Sequence, residues 1–317
     1  MPERDAYRDR ATDGEDAEKW GPPRENLDRR TAVLAGAAGV ATLAAAVAVF
    51  GLGLTPDRYL LVLLVPALIL RRARRYIFDF VPFAALLVIY AQCRGIAHLL
   101  RPEPYYLPQL RADRWLFGVV PSAELQHWLW TGTQQWYDTL TLSVWRLHFV
   151  VPPLLAFVLW VRRRALFYRF AATMVSLSFA AAIVFYLYPA APPWAAGQKG
   201  LLPGLIRIPH NPAPGPSSHG FKSFNVSRLI DPNPYAAIPS LHAGYAFLCF
   251  LFIATLAWKT RWRWYAIWLG MLYPLAQSWA VVYTGNHYVV DLVLGYLSAT
   301  AALVAVSAFW RRLRLPA

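Results

Sequence analysis

Arg162-Arg163-Arg164, then ALFYRFAATMVSLSFAAAIVFYLY at 165–188, then Pro189: this stretch decides the fold class. It is a run of more than 20 residues dominated by Ala, Leu, Val, Ile and aromatics, carrying one charge, Arg169, near its start. About 20 such residues are needed to cross the hydrocarbon core of a bilayer as a helix. The arginines in front of it mark the cytoplasmic end of a span, and the proline behind it marks a stop. The rest of the chain repeats the pattern. Of the 317 residues, 57% are hydrophobic and only 15% charged, whereas a soluble domain sits near 45–50% and 25%. The sequence therefore reads as all-α, a polytopic helical membrane protein.

Apolar runs at 31–54, 59–70, 76–100, 139–161, 165–188, 239–258, 264–283 and 287–310 give about eight transmembrane helices. The second run is short for a span. Basic clusters at 71–75, 162–169, 259–263 and 311–314 follow the second, fourth, sixth and eighth runs. With the N-terminus cytoplasmic, all four fall on the cytoplasmic side, as the positive-inside bias requires. The expected placement is thus a multi-pass protein of the cell membrane with both termini cytoplasmic. Segments 101–138 and 189–238 and the turn at Thr284–Asn286 then share the extracytoplasmic face. Residues 1–30 hold nine of the 17 acidic residues and seven basic ones, and read as a solvated, disordered tail. The remaining chain has 24 basic and eight acidic side chains. In a soluble protein this excess would suggest nucleic acid, but here the arginines sit at the ends of apolar runs, and nucleic-acid binding is excluded. The Pro- and Gly-rich stretch 189–238 is too long for a plain connection and reads as a substrate-binding loop or lid.

Two short motifs begin predicted helices on that one face: Pro239-Ser240-Leu241-His242 and Gly285-Asn286-His287-Tyr288-Val289-Val290-Asp291. Helix N-termini offer free N–H groups and the positive end of the dipole, which suits a phosphate. His287 and Asp291, four apart, share a helix face. The carboxylate can hold Nδ1–H of the imidazole and leave Nε2 as a nucleophile, the orienting arrangement of a hydrolase triad. His242 can then give a proton to a departing oxygen. A phosphate also needs cations, and Lys199, Arg207, Lys222, Arg228, Arg94 and Arg101 are candidates. His148, beside Arg146, reads as an interior hydrogen-bonding histidine or as a contact for an acceptor headgroup. His98, His127, His210 and His219 are not spaced as ligands.

These motifs resemble the type 2 phosphatidic acid phosphatase superfamily. Pro-Ser-Leu-His at 239–242 and Tyr-Thr-Gly-Asn-His-Tyr-Val-Val-Asp at 283–291 look like its second and third signatures, in the form of the inositol phosphorylceramide synthase-like branch. Tyr188-Pro189-Ala190-Ala191-Pro192-Pro193-Trp194 is similar to that branch, and Asp113-Arg114-Trp115-Leu116-Phe117-Gly118 to its bacterial members. The resemblance covers 76–312 as a catalytic domain, with 31–75 as two additional spans. It implies metal-independent phosphoryl transfer on lipid-linked phosphate esters, with no cofactor. His287 would form a phosphohistidine, Asp291 would orient it, and His242 would act as acid and then base. Ser240, Lys199, Arg207 and Arg94 are the expected phosphate contacts. The implied substrate is a phospholipid or polyprenyl phosphate. An alcohol acceptor such as inositol or a glycan makes the enzyme a phosphotransferase, and water makes it a lipid phosphatase. Two departures stand out. The third signature's arginine, six residues before the histidine, is Val281 here. The first signature, Lys, six residues, then Arg-Pro, is matched only loosely by Lys199…Arg207-Ile208-Pro209, with one residue too many; Arg94…Arg101-Pro102 fits the spacing, with Arg for Lys, but lies two spans earlier than the family places it.

Three other readings use the same residues. His242, His287 and Asp291 are suitable zinc ligands by type. Ionisable residues inside a membrane protein can also line a transport path, although these cluster at one face. A CDP-alcohol phosphotransferase would need an Asp-rich metal motif, which is absent from the sequence.

Overall fold

The computed structural model describes residues 41–42, 56–100, 103–208, 233 and 235–313. Eleven α-helices lie within these bounds: α1 Pro56–Ile69, α2 Ala73–Leu100, α3 Leu107–Phe117, α4 Pro121–Leu129, α5 Trp136–Arg146, α6 Val151–Arg162, α7 Arg164–Leu187, α8 Pro193–Gln198, α9 Leu241–Ala257, α10 Arg263–Tyr283 and α11 Val289–Arg312. A 3₁₀ turn, Leu147–Phe149, joins α5 to α6. Among the described residues β-pairing is confined to isolated bridges, so the all-α expectation holds.

Three helices are long and apolar enough to cross a membrane: Ala73–Ile96 of α2, Arg164–Leu187 and Val289–Arg312. Trp136–Phe149 and Val151–Arg162 pass that test together but bend by 42° at their junction. The bend follows from Pro152 and Pro153, which open α6 and supply no N–H to continue the helix before them. The sequence had read this region as one span. Leu60–Ile69 and Leu241–Ala257 are apolar but shorter. α10 has sufficient length, yet its Trp, Tyr, Pro and Gln residues lower its mean hydropathy. Among the described residues, length and composition thus support three spans, or four with the bent pair, and the eight expected are not confirmed. The expected span at 31–54 lies outside the described residues except for Thr42 and Ala41.

The bundle packs through α7, which lies against α2, α6 and α11, and through α9, which lies against α10 and α11. Between α2, α6 and α7 the core is aromatic. Phe80 stacks on Tyr76 at 4.4 Å and on Phe167 at 4.7 Å, with Phe157 and Trp160 edge-on or tilted around them. In lipid, such shape-matched contact is the main source of helix association, because burial from water contributes little. A polar clamp adds direction to it. Buried Asp79 of α2 accepts from Trp160 Nε1 (2.7 Å), Arg164 Nε (2.7 Å), Arg164 Nη2 (2.6 Å) and Tyr168 OH (2.5 Å).

At the opposite ends of α7 and α2, three chain segments meet. Tyr105 N–H donates to Pro189 O and Ala191 N–H to Tyr105 O, while Ala190 takes part in a second bridge with Ala236. The described parts of the long 189–238 stretch are therefore pinned: 189–191 to Tyr105, and α8 with 199–208 to the turn between α10 and α11.

Candidate active site

The turn from α10 to α11 is a tight reversal. Gly285 adopts φ +74°, a conformation that penalises a Cβ, and an added Cβ would also come within 2.7 Å of Ile206 O. The N–H groups of Asn286 and His287 both reach back to Val281 O, at 2.9 and 3.1 Å. Val281 itself is fully buried beside Ala243, Val282 and Leu292. At this position, where the resembled signature has an arginine, the surroundings are apolar, so a cation for the site has to come from another element.

α11 then starts with its amides already occupied. Asp291 Oδ2 accepts from Tyr288 N–H at 2.9 Å and lies 3.3 Å from His287 Nδ1. Asp113, from α3, accepts from Val289 N–H at 2.9 Å and Val290 N–H at 3.0 Å. The expectation that this helix start offers free amides to a phosphate is therefore not met, because two carboxylates hold three successive N–H groups. The spacing of His287 and Asp291 does bring the two side chains together. Asp291 is fully buried, and its Oδ1 has no partner among the described residues.

α9 starts beside α11. Ser240 is fully buried; its Oγ accepts from Ala243 N–H at 3.4 Å, and its own N–H donates to Asp291 O at 3.0 Å. Its hydroxyl thus serves as a helix cap. The two helices approach closely because Gly295 carries no side chain: a Cβ there would lie 2.4 Å from Ser240 O. As a result the rings of His242 and His287 sit 5.8 Å apart, centroid to centroid.

His242 has a dense surround that sequence reading left unassigned. Buried Gln277 of α10 donates from Nε2 to Trp145 O at 3.1 Å and lies 3.3 Å from His242 Nδ1. A carbonyl can only accept, so the contact with Trp145 O orients the amide, and the amide in turn stands against the Nδ1 side of the His242 ring. Trp145 lies 5.1 Å from the His242 ring and His148 4.1 Å, and His148 stacks on Tyr245 at 5.2 Å and 10°. His148 is thus packed against the site.

Two of the expected cations approach. Arg207 is positioned by its neighbours in the chain. Gln126 holds Ile206 at both its N–H and C=O and also donates to Tyr283 O; Ile208 N–H donates to Thr284 O; Trp194 N–H donates to Gly285 O. The guanidinium of Arg207 lies over the Trp194 ring at 5.6 Å. Its pKa is pushed down by the surrounding protein and then by the charge of Arg94, so the two cations feel one another. Arg94, on α2, is also within electrostatic reach of His148 and Tyr245. Lys199 is exposed and sits over Tyr106 at 5.2 Å. Lys222, Arg228 and Arg101 lie outside the described residues. Among the described residues no group of three His, Cys, Asp or Glu side chains is arranged to hold a metal ion.

A family model described as the PAP2 superfamily matches residues 109–305. The inositol phosphorylceramide synthase catalytic subunit aur1 of Schizosaccharomyces pombe is 26% identical over 261 residues, covering 80% of this chain and 58% of that protein. The phosphoinositol dihydroceramide synthase of Bacteroides thetaiotaomicron is 31% identical over 149 residues, 46% of this chain and 47% of that one. The inositol phosphorylceramide synthase of Candida albicans is 32% identical over 123 residues, 34% of this chain and 22% of its own. The chain thus spans about half the length of the first two relatives. No solved structure matches it.

Proposed function

This chain belongs to the PAP2 superfamily, and from that premise we propose that it is a membrane phosphotransferase that moves a phosphoryl-linked headgroup, of the inositol phosphate type, from a phospholipid donor to a lipid alcohol. The observation that carries this reading is the pair of imidazoles 5.8 Å apart at two helix starts, with a buried carboxylate behind one of them. The headgroup class follows the relatives, two of which are inositol phosphorylceramide synthases and one a phosphoinositol dihydroceramide synthase.

In the first half-reaction Nε2 of His287 attacks phosphorus. The P–O bond to the donor's lipid alkoxide breaks, and His242, entering this step as the imidazolium, gives that oxygen a proton and is left as the neutral ring. Asp291, held at the helix start by Tyr288 N–H, keeps Nδ1–H of His287 oriented and balances the positive charge that grows on the ring. In the second half-reaction the acceptor hydroxyl gives its proton to His242, its oxygen attacks phosphorus, and the P–N bond breaks to restore His287. Arg207 and Arg94 neutralise the equatorial oxygens. This division of labour compensates for Val281 and for the occupied amides of α11. Ser240 contributes by fixing the start of α9, and Lys199 stands further out, where it suits a headgroup entering the site. Water reaching the same intermediate would make the enzyme a lipid phosphatase.

Residues 76–312 form the catalytic domain in this reading, and eight spans with both termini cytoplasmic put the histidines on the extracytoplasmic face. The four basic clusters support that sidedness. Single cysteines at exposed Leu201 and exposed Trp262, in a background lacking Cys93 and Cys249, test it: a membrane-impermeant thiol reagent should label position 201 in intact cells and position 262 only after lysis.

The activity test uses purified protein in detergent with EDTA, a panel of phospholipids including a phosphoinositide, and ceramide-type and diacylglycerol acceptors. Acceptor-dependent lipid product with little free headgroup phosphate is the expected result, with the His287→Ala protein as the blank. Headgroup release without acceptor would make it a phosphatase. Loss of all activity in EDTA would return the donor set to the zinc reading.

A further inference from the structure

Asp113 is fully buried, lies 176 and 177 residues from its two hydrogen-bond partners in sequence, and is not among the side chains to which chemistry has been assigned. Both of its oxygens are committed, Oδ2 to Val289 N–H at 2.9 Å and Oδ1 to Val290 N–H at 3.0 Å. These are the first two residues of α11, and His287 and Asp291 stand on either side of them. A buried carboxylate is costly to desolvate. Burial pushes the Asp113 carboxyl up to about 6, against the two amides that lower it, and the nearby Asp291 charge raises it further. A helix start could be capped at lower cost by a serine or threonine. Keeping a second anion close to Asp291 makes sense where its field and its fixed geometry both act on that pair.

We propose that Asp113 is a positioning residue for the His287–Asp291 pair: α3 uses its carboxylate to fix the height and rotation of the α11 start, and its charge favours the cationic state of His287 as the ring bonds to phosphorus. This rests on the reading of His287 as the nucleophile. The groups that face Asp113 are Asp291 and Tyr288 of α11, and the cations Arg94 and Arg207 stand on other elements of the site.

The experiment compares full-length wild type, Asp113→Asn and Asp113→Glu in detergent, with two readouts. The first is kcat and KM with the acceptor-dependent assay. The second, independent of any substrate, is the pH midpoint of His287 modification by diethyl pyrocarbonate, followed on the His287 peptide by mass spectrometry. Asp113→Asn should lower kcat about tenfold to a hundredfold, as a displacement near 1 Å does, with KM within about twofold, and should move the His287 midpoint to lower pH because an anion has been removed. Asp113→Glu retains the charge but is one methylene longer; it should lower kcat while leaving the midpoint near wild type. An unchanged midpoint and kcat in Asp113→Asn overturns the proposal, and so does a kcat loss that matches the folded fraction with the midpoint unmoved. If Asp113→Asn does not fold, wild-type kcat in Asp113→Glu overturns it. A shifted midpoint in a protein with no transferase activity would keep the positioning role and sink the proposed function.

Discussion

Asp79 and Asp291 are both buried carboxylates on long apolar helices, and they are used in opposite ways. Asp79 is saturated: an indole N–H, two guanidinium N–H groups and a phenol converge on its two oxygens. Asp291 has one oxygen shared between a backbone N–H and an imidazole, and its other oxygen has no partner among the described residues. A fully satisfied buried network holds elements together and has nothing left to offer a substrate. An unsaturated one is poorer as structure and available for chemistry. In this protein, the completeness of hydrogen bonding separates the clamp from the candidate site better than residue type or burial does.

The sharpest way to break that comparison is at the unsaturated end. His287→Ala should cut activity by at least about 10⁴-fold, the scale on which removal of a triad member acts, while thermal unfolding in detergent stays close to wild type; retained activity would end the mechanism. His242→Ala should lose about 10²–10⁴-fold, the range for general acid–base help, and a leaving group of low pKa should recover part of the loss. Gly295→Ala tests whether the two halves of the site depend on the close approach of α9 and α11. Its Cβ would meet Ser240 O, so the helices must separate, with a stability loss of about 1–3 kcal/mol and a lower kcat per folded molecule. Asp79→Asn probes the saturated end. It should cost about 1–3 kcal/mol through donors left unpaired, moderated because Arg164 is partly solvent-exposed, and should leave kcat of the folded fraction unchanged. A selective kcat loss there would erase the distinction between the two carboxylates.

The smallest effect concerns Asp113, which stands between the two, with both oxygens engaged once. Its carboxyl is raised to about 6 by burial, so the folded state holds the proton more tightly than the unfolded chain does. Its stabilising contribution is therefore complete below the ordinary carboxylate range and is lost as pH rises to about 6. Across pH 4 to 6, Asp113→Asn should gain stability relative to wild type, read as a closing or reversing difference in unfolding midpoint. A difference that widens the other way would mean that the ionised cap is the form that folding prefers.

The parts of the site that are local in sequence were legible there. The four-residue spacing of His287 and Asp291 marked them as a pair, although His287 precedes the cap residue Tyr288 and the capping bond from Tyr288 N–H to Asp291, rather than the helical period, sets their contact; Pro239-Ser240 marks a helix start by its cap residue. Val281 was legible as a departure from the resembled signature but not as a consequence. Only the structure shows that it is buried among Ala243, Val282 and Leu292, which is why the proposed mechanism draws its cations from α2 and from the segment after α8. Gln277 carries no signal in the sequence beyond being a polar residue in an apolar run, because its contact with His242 spans 35 residues. Membrane span counting was less secure. The doubled proline at 152–153 bends what hydropathy alone had read as one segment.

From the sequence alone came the helical membrane class, the two helix-start motifs, the candidate residues His242, His287 and Asp291, and the sidedness suggested by four basic clusters. Each depends on composition or on spacing within a few residues, where covalent geometry limits what the chain can do. The tertiary structure alone decided which carboxylate holds the α11 amides, which amide stands against His242, that Arg94 and Arg207 come within electrostatic reach of one another, and that a missing side chain at Gly295 lets α9 and α11 meet. Those depend on contacts between segments far apart in the chain, and helix packing, with its demands on shape and on satisfied polar groups, selects them only once the bundle has formed.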